Sequence, residues 1–467
     1  MKVAIIGSGI SGVTVAKSFL EKNYEISMFD ASDFKKDSKD KVSFFPNLKN
    51  SPKFKNKNFE NNRNSFASKY NLTSPNFFSA NTLEVGGLTN YWGGGLEFPS
   101  NNYLSHYNKI NEITSEKKNI LNEIGIKENK FEFYDAYFDN NIMRKFLNFE
   151  NEDFYFEKLL LAINQKNNEN RKNINFQYTN NEIFYNAKSE IYNLMKYKNF
   201  KLFKNTFVSD IVKSDSKLKL IINDKIYNQK FDKIILACGT VGSSIIVSKL
   251  LKINDKIRIY HTPMLQIAYY NNPLRSNFYI KKKIGLALLM INLKIYQDIY
   301  KGSFLSASGI NNNFFGITNS NILFSYLKKF IFIGNIFFPQ TYSNTYLNNN
   351  IKNSYIESGF NEDIYENIKI IKKKLNFYFK KLKLNQIPFM NCKLLENGSD
   401  AHYTSSLYDF NINTKKILNE KCELNDFKNV HVMDGSVIKE GLYYPTLFLM
   451  MYIKHISKLI INNDKKD

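Results

Sequence analysis

The sequence predicts an α/β fold: a doubly wound, mostly parallel sheet joined to an α+β part built on an antiparallel sheet. Two observations predict it. The chain opens with an apolar strand, a glycine-rich turn, a helix and a second strand, and its middle third alternates aromatic and aliphatic residues. The 467 residues suffice for two intimately joined domains, and 43% hydrophobic residues mark a folded chain.

Taken in order, residues 2–6 read as a short apolar strand ending in Gly7-Ser8-Gly9-Ile10-Ser11-Gly12. A helix over 10–22 follows, with Val13, Ala16, Phe19 and Leu20 facing inward, and a second strand over 24–29 ends at Asp30. Residues 33–80 are basic, rich in Asn and Ser, and without period. They read as a long excursion over the surface or over a ligand, with 36–79 assigned as a basic surface segment. The Gly-rich stretch 86–95 interrupts this, and 104–200 reads as largely helical and polar, with its strand potential unresolved. Residues 202–222 suit two strands around a Ser-rich turn at 214–216, and 234–237 a buried parallel strand that turns at Gly239 into a helix. The alternation over 258–358 suits an antiparallel sheet with one covered face. Asn361, before Glu362 and Asp363, caps a helix reaching about residue 382 with Ile364, Ile368, Ile371 and Leu375 on its buried stripe. An apolar helix over 446–461 ends the pattern. One domain thus takes 1–35, 80–100, 201–257 and 425–467, and a substrate or cap domain takes 101–200 and 258–424.

With 65 basic and 43 acidic residues the net charge is +22. The lysines are spread along the chain, with small clusters at Lys281–Lys283 and Lys372–Lys374, and no zinc-finger spacing or aromatic RNA-binding signature accompanies them. A specific nucleic-acid role is therefore not expected, while peripheral contact with an anionic membrane stays open. Cys238, Cys392 and Cys422 are widely spaced and odd in number, forming neither a disulfide framework nor a metal cluster. No apolar run reaches transmembrane length, and the initial one is too short for a signal peptide, so a cytoplasmic, soluble protein is expected.

The opening turn has a chemical reading. Gly7 permits the tight turn, Gly9 leaves room for a diphosphate, and Gly12 lets the helix lie against its strand. The helix N-terminus then offers free N–H groups and partial positive charge to the phosphates. Asp30, eighteen residues beyond Gly12, is placed to accept hydrogen bonds from ribose hydroxyls. The motif marks a dinucleotide site of Rossmann type without separating NAD from FAD.

Four further segments bear on that choice. Gly86-Gly87-Leu88-Thr89-Asn90-Tyr91-Trp92-Gly93-Gly94 resembles the flavin-site loop of the glucose–methanol–choline oxidoreductases, especially the branch of pyranose and cholesterol oxidases. Residues 234–243, with Cys238, Gly239 and Thr240, resemble that family's strand returning to its FAD domain. Asn429-Val430-His431-Val432-Met433-Asp434-Gly435-Ser436 and Tyr444-Pro445-Thr446-Leu447 resemble its last strand and its Asn-Pro-Thr turn. The resemblance implies non-covalent FAD, since Tyr91 stands where some relatives carry a flavin-linked histidine. It implies Gly86, Gly87, Thr89, Asn90 and Trp92 around the flavin, and Val208 at the adenine edge. It further implies Gly239, Asp434 and Gly435 near the diphosphate and ribityl chain, and Pro445 and Thr446 at the flavin ring.

The resemblance also implies oxidation of an alcohol (CH–OH) by hydride transfer to flavin N5, with a histidine as base, neutral near pH 7 yet able to accept a proton. Of His106, His261, His402, His431 and His455, His402 lies in the matching loop, Gly398-Ser399-Asp400-Ala401-His402. His261 reads as structural, and His431, between Val430 and Val432, as facing outward from its strand. Two departures stand out. Thr404-Ser405 replaces the family's Gly-Thr, and Tyr444, 42 residues after His402, replaces its catalytic Asn or His. Three readings follow: an alcohol or sugar oxidoreductase with His402 and Tyr444 at its centre, a flavoenzyme of altered chemistry, and a flavin-binding protein without catalysis. The implied partners are a small alcohol or sugar-like substrate, with surface-polysaccharide metabolism as the family analogy, and an electron acceptor.

Overall fold

The computed structural model describes residues 1–32, 57–126, 140–163, 174–175, 184–214, 217–273, 284–310, 312, 321–349, 353–387 and 392–464. The fold is mixed α/β, with one parallel sheet and several antiparallel ones. In the parallel sheet the strands lie in the order Val430–Val432, Lys233–Leu236, Lys2–Ile6, Glu25–Phe29, Phe200–Phe203, every neighbouring pair parallel. Val3, Ala4, Ile5, Ile234, Ile235 and Leu236 are fully buried, which is why these segments read as continuous apolar runs. From Lys2–Ile6 the chain steps outward on one side to Glu25–Phe29 and Phe200–Phe203. It then crosses to Lys233–Leu236 and Val430–Val432 on the other. The order therefore reverses between Lys2–Ile6 and Lys233–Leu236.

The larger antiparallel sheet runs Leu384–Gln386, Met264–Asn271, Ile331–Phe337, Asp298–Ser306, Leu289–Ile295, Phe154–Lys158, Glu150–Asn151, with Lys393–Leu394 also paired to Met264–Asn271. The expectation of one covered face is corrected, because both faces are buried. One carries Leu265, Ile267, Tyr269 and Phe304 against the helix Asp363–Lys381, whose Ile364, Ile371, Leu375 and Phe379 are fully buried. The other carries Met264, Ala268, Ile333 and Phe337, together with Tyr444 from far along the chain.

Several expected placements change. The segment assigned to the surface carries a helix, Lys57–Lys69, whose Phe59 and Phe66 are buried in the core beside the parallel sheet, together with Tyr70, Phe77 and Phe78. Its first half, through residue 56, and the turn at 215–216 lie outside the described residues. Of the region read as polar helix, Ile110–Ile124 packs on the terminal helix Thr446–Asn463 and joins the parallel sheet's core, whereas Phe154–Lys158 is a strand of the antiparallel sheet. Residues 202–222 divide three ways: Phe200–Phe203 belongs to the parallel sheet, and Val208–Ser214 with Lys217–Ile222 forms a hairpin. Tyr403, Leu407 and Cys422, expected in the substrate domain, also lie in the parallel sheet's core. His431 does not face outward: it is buried, and its Nδ1 lies 3.1 Å from the Lys421 carbonyl oxygen. A short strand between Cys422–Leu424 and Lys233–Leu236 has no solvent face, so alternation there carries no signal. Among the described residues no helix is long and apolar enough to cross a membrane.

Phe379 tests the joint between helix and antiparallel sheet. Its ring lies 4.1 Å from that of Tyr269 and 5.2 Å from that of Phe304. Phe379→Ala is expected to cost about 3–5 kcal/mol, read as a lower midpoint in urea unfolding; a loss under about 1 kcal/mol would contradict this packing.

Candidate functional site

Four strands of the parallel sheet end on one cavity. Gly7 follows the first strand, Asp30 the second, Ala237 and Gly239 the fourth in chain order, and Asp434 the last, and all five line a cavity of about 350 Å³. That volume falls in the range of small-molecule and cofactor sites, about 300–1,000 Å³. Its position at the carboxyl edge, where strand order reverses, is where an open parallel sheet leaves a crevice.

The first turn shows why its glycines differ. Gly7 has φ +107°, and a Cβ there would fall 2.2 Å from the Ala237 carbonyl oxygen. A Cβ on Gly12 would fall 2.1 Å from the Gly7 carbonyl oxygen. At Gly9 a Cβ would meet nothing within 4 Å, because this residue faces the cavity. Gly7 and Gly12 are thus required by backbone packing, while Gly9 keeps space open.

Three helices begin at the cavity: Ile10–Leu20, Gly239–Leu250 and Thr446–Asn463, and in none does the residue just before the helix cap it with its own side chain. The Asp434 carboxylate accepts from the Gly239 amide. It also accepts from Ser243 Oγ at 2.5 Å and from Ser436 Oγ at 2.7 Å. Asp30 accepts from Ser8 Oγ and, at 2.9 Å, from the Ser32 amide. Burial raises the pKa of both carboxyls, and these hydrogen bonds oppose it. Cys238, beside them, is pushed up to about 12 by burial and stays a thiol.

Of the residues expected at a cofactor, Gly7, Gly9, Asp30, Gly87, Thr89, Trp92, Val208, Gly239, Asp434, Gly435, Pro445 and Thr446 line this cavity together. Gly12, Gly86 and Asn90 stand behind its wall. Gly86 donates its amide to Ser8 Oγ at 3.1 Å, and its φ of +87° brings the chain so close to Lys188 that a Cβ would fall 2.7 Å from that amide. Asn90 Nδ2 donates to the Val85 carbonyl at 2.7 Å, and its Oδ1 accepts from Asn186 Nδ2 at 3.0 Å. The Trp92 indole lines the cavity with its N–H held by the Tyr185 carbonyl at 3.1 Å.

At its other end the cavity meets the antiparallel sheet. Ser303 and Asn335 are direct cross-strand partners and so share a face, which lines the cavity with Met264 and Phe337. His402 and Tyr444 complete this end. The Phe337 ring lies 5.8 Å from that of His402 and 5.6 Å from that of Tyr444, with His402 and Tyr444 5.9 Å apart. Tyr444 lies against Gly95, where a Cβ would fall 2.7 Å from its ring.

A buried network holds the His402 loop. Asp400 Oδ1 lies 3.1 Å from His261 Nδ1, and Oδ2 accepts from the Thr262 amide at 2.9 Å, its hydroxyl at 2.9 Å and the His402 amide at 3.1 Å. Burial acts to raise the Asp400 pKa, but the His261 imidazole and these hydrogen bonds outweigh it and hold it below the usual value. Ala401 and Ser405 adopt φ of +59° and +62°, a conformation that non-glycine residues keep only where surrounding contacts enforce it. Burial lowers the His402 pKa, partly offset by Asp400, so the ring is neutral at pH 7. Among the described residues its Nδ1 is closed off without a partner, leaving Nε2 as the nitrogen open to the cavity. The Tyr444 hydroxyl is likewise closed off, and burial, with the Glu97 charge, raises its pKa far above the ordinary value against a smaller opposing effect of the neighbouring Ser303 hydroxyl. Chemically, this end offers a neutral base and polar groups in an apolar wall.

Set against protein-family models and against curated proteins, the chain matches none of either.

Sequence reasoning missed Ser8, Asp400, Ser303 and Asn335. Ser8 sits inside the glycine motif, and Asp400 stands two residues before His402. Asn335 is the one polar side chain within the apolar strand Ile331–Phe337, an interruption that could have singled it out. The glycine assignment makes a stability prediction. Gly12→Ala and Gly7→Ala are expected to lower stability by at least about 1–3 kcal/mol through overpacking, while Gly9→Ala leaves the thermal midpoint within about a degree of wild type. Equal losses at all three would contradict it.

Proposed function

We propose that this chain is a flavin-dependent oxidoreductase of the glucose–methanol–choline type, oxidising a hydroxyl group of a small alcohol or sugar-like compound. One observation carries the reading: a single cavity joins the Gly9 opening and three helix N-termini to a neutral, open His402 imidazole. The first part suits a diphosphate, since first-turn amides and helix dipoles favour anions. FAD would be held non-covalently by the Gly9 turn, by Asp30 at a ribose, by Val208 at the adenine, and by Gly87, Trp92, Asp434 and Thr446 along the rest. The chemistry FAD supplies when bound is acceptance of the carbinol hydride.

His402 does the proton work. Its Nε2 accepts the hydroxyl proton, and the nearby Asp400 carboxylate stabilises the resulting imidazolium. Asp400 also fixes the loop by bonding the His402 amide, so the ring enters the reaction already oriented. The apolar wall of Met264, Phe337 and Tyr444 keeps water from competing for that nitrogen.

The test is anaerobic reduction of the FAD-loaded protein by a panel of alcohols and nucleotide-linked sugars, followed as bleaching of the flavin absorption band. His402→Ala is expected to slow reduction at least about 10²-fold, and wild-type rates in that variant would remove His402 as base. Only the neutral ring can accept a proton, and burial depresses its pKa. The reduction rate should therefore be level through neutral pH and fall in acid with a midpoint below about 6.5. A midpoint above about 7 would contradict a buried imidazole base. Gly9→Val should retain the fold and lose the FAD-induced rise in thermal midpoint; an unaltered rise would place the diphosphate elsewhere.

A further inference from the structure

We infer that Asn335, rather than Tyr444, is the second side chain that holds the substrate oxygen. The inference rests on the alcohol-oxidising reading and adds a residue to it. A base alone does not orient an alcohol: its oxygen needs a donor while its own proton points to the base. Two residues at this end of the cavity compete for that role.

Tyr444 is badly placed for it. Its ring is wedged between Gly95 and Phe337, and its hydroxyl is closed off beside Ser303 rather than open to a ligand. To reach a ligand it would have to leave a packed rotamer in a wall where little can shift.

Asn335, equally buried and on the same cavity, differs in having one polar end left open. It is 6% exposed, lines the cavity, and lies on the same sheet face as its cross-strand partner Ser303. Among the described residues its Oδ1 is closed off with no partner, and its Nδ2, which none of them accepts from, is the end left open. A buried amide with neither end bonded costs stability unless a ligand completes it. The strand pair is built to hold it there. Gly302 and Gly334 flank Ser303 and Asn335, and a Cβ on either would fall 2.1 Å from the carbonyl oxygen of Asn335 or Ser303, respectively. The two strands therefore carry their polar pair on a backbone that admits no side chain beside it.

Asn335 Nδ2 then donates to the substrate oxygen while His402 Nε2 takes its proton. As the proton leaves, negative charge grows on that oxygen and the Nδ2–H bond strengthens, so the amide acts on the rate and not only on affinity.

The experiment compares Asn335→Ala, Asn335→Asp and Tyr444→Phe in the full FAD-loaded chain, with glycerol, D-glucose, 2-propanol and benzyl alcohol as probes under anaerobic stopped flow. FAD affinity and thermal midpoint are measured alongside. The expected result is loss of at least about 10²-fold in the reduction rate constant for both Asn335 variants, because Asp keeps the size and removes the donor. Tyr444→Phe should stay within about threefold of wild type. Wild-type rates in Asn335→Asp, or a loss confined to Tyr444→Phe, would overturn the inference. Should FAD bind and no probe reduce it, the alcohol-oxidising reading fails by itself, and calorimetric binding of the same probes decides on Asn335. Binding that Asn335→Ala abolishes upholds its contact, and binding that it retains, or no binding, overturns it.

Discussion

The structure depends on backbone approaching backbone at the edge of the parallel sheet. Gly7 lies against the Ala237 carbonyl and Gly12 against the Gly7 carbonyl, so the first strand, the first helix and the strand Lys233–Leu236 meet with no side chain between them. That contact brings the N-termini of two helices to the same edge. It also leaves Gly9, the one motif glycine not needed for packing, facing open space. The cavity is thus a consequence of how the sheet is closed, and what lines it follows from which strands end there.

Burial then sets the charge of each group along the cavity. Asp30 and Asp434 are raised by desolvation and balanced by short networks of serine hydroxyls and amides. Asp400 is held low by His261, and that carboxylate anchors the loop on which His402 is kept neutral. Two ends with different chemistry result: one rich in backbone amides and dipoles, the other an apolar wall bearing a neutral imidazole, an amide and hydroxyls. An anionic cofactor and a neutral hydroxylated substrate are the pair of ligands that such a division suits.

What could be read from the sequence was what depends on neighbours along the chain. The strand, turn and helix at Gly7–Gly12, the acid at Asp30, the strand before Gly239 and the buried stripe on Asp363–Lys381 each carry a local signature of period or turn chemistry. The gathering of Gly87, Val208, Asp434 and Thr446 on one cavity was visible only through family resemblance, since no local rule joins positions so far apart. Other features were set by tertiary packing. Phe59 and Phe66 are buried within a segment whose composition reads as surface, because a few aromatics suffice to dock a polar helix. His431 alternates with valines yet faces protein on both sides. Asp400 and Asn335 look ordinary in sequence because their partners, His261 and Ser303, come from distant parts of the chain.

Titration of the purified chain with FAD by calorimetry, repeated in the presence of ADP, tests the central claim most directly. The account requires saturable uptake of one FAD per chain that ADP weakens, since both present a diphosphate to the amides around Gly9. Absence of uptake, or uptake that ADP leaves unchanged, would contradict it.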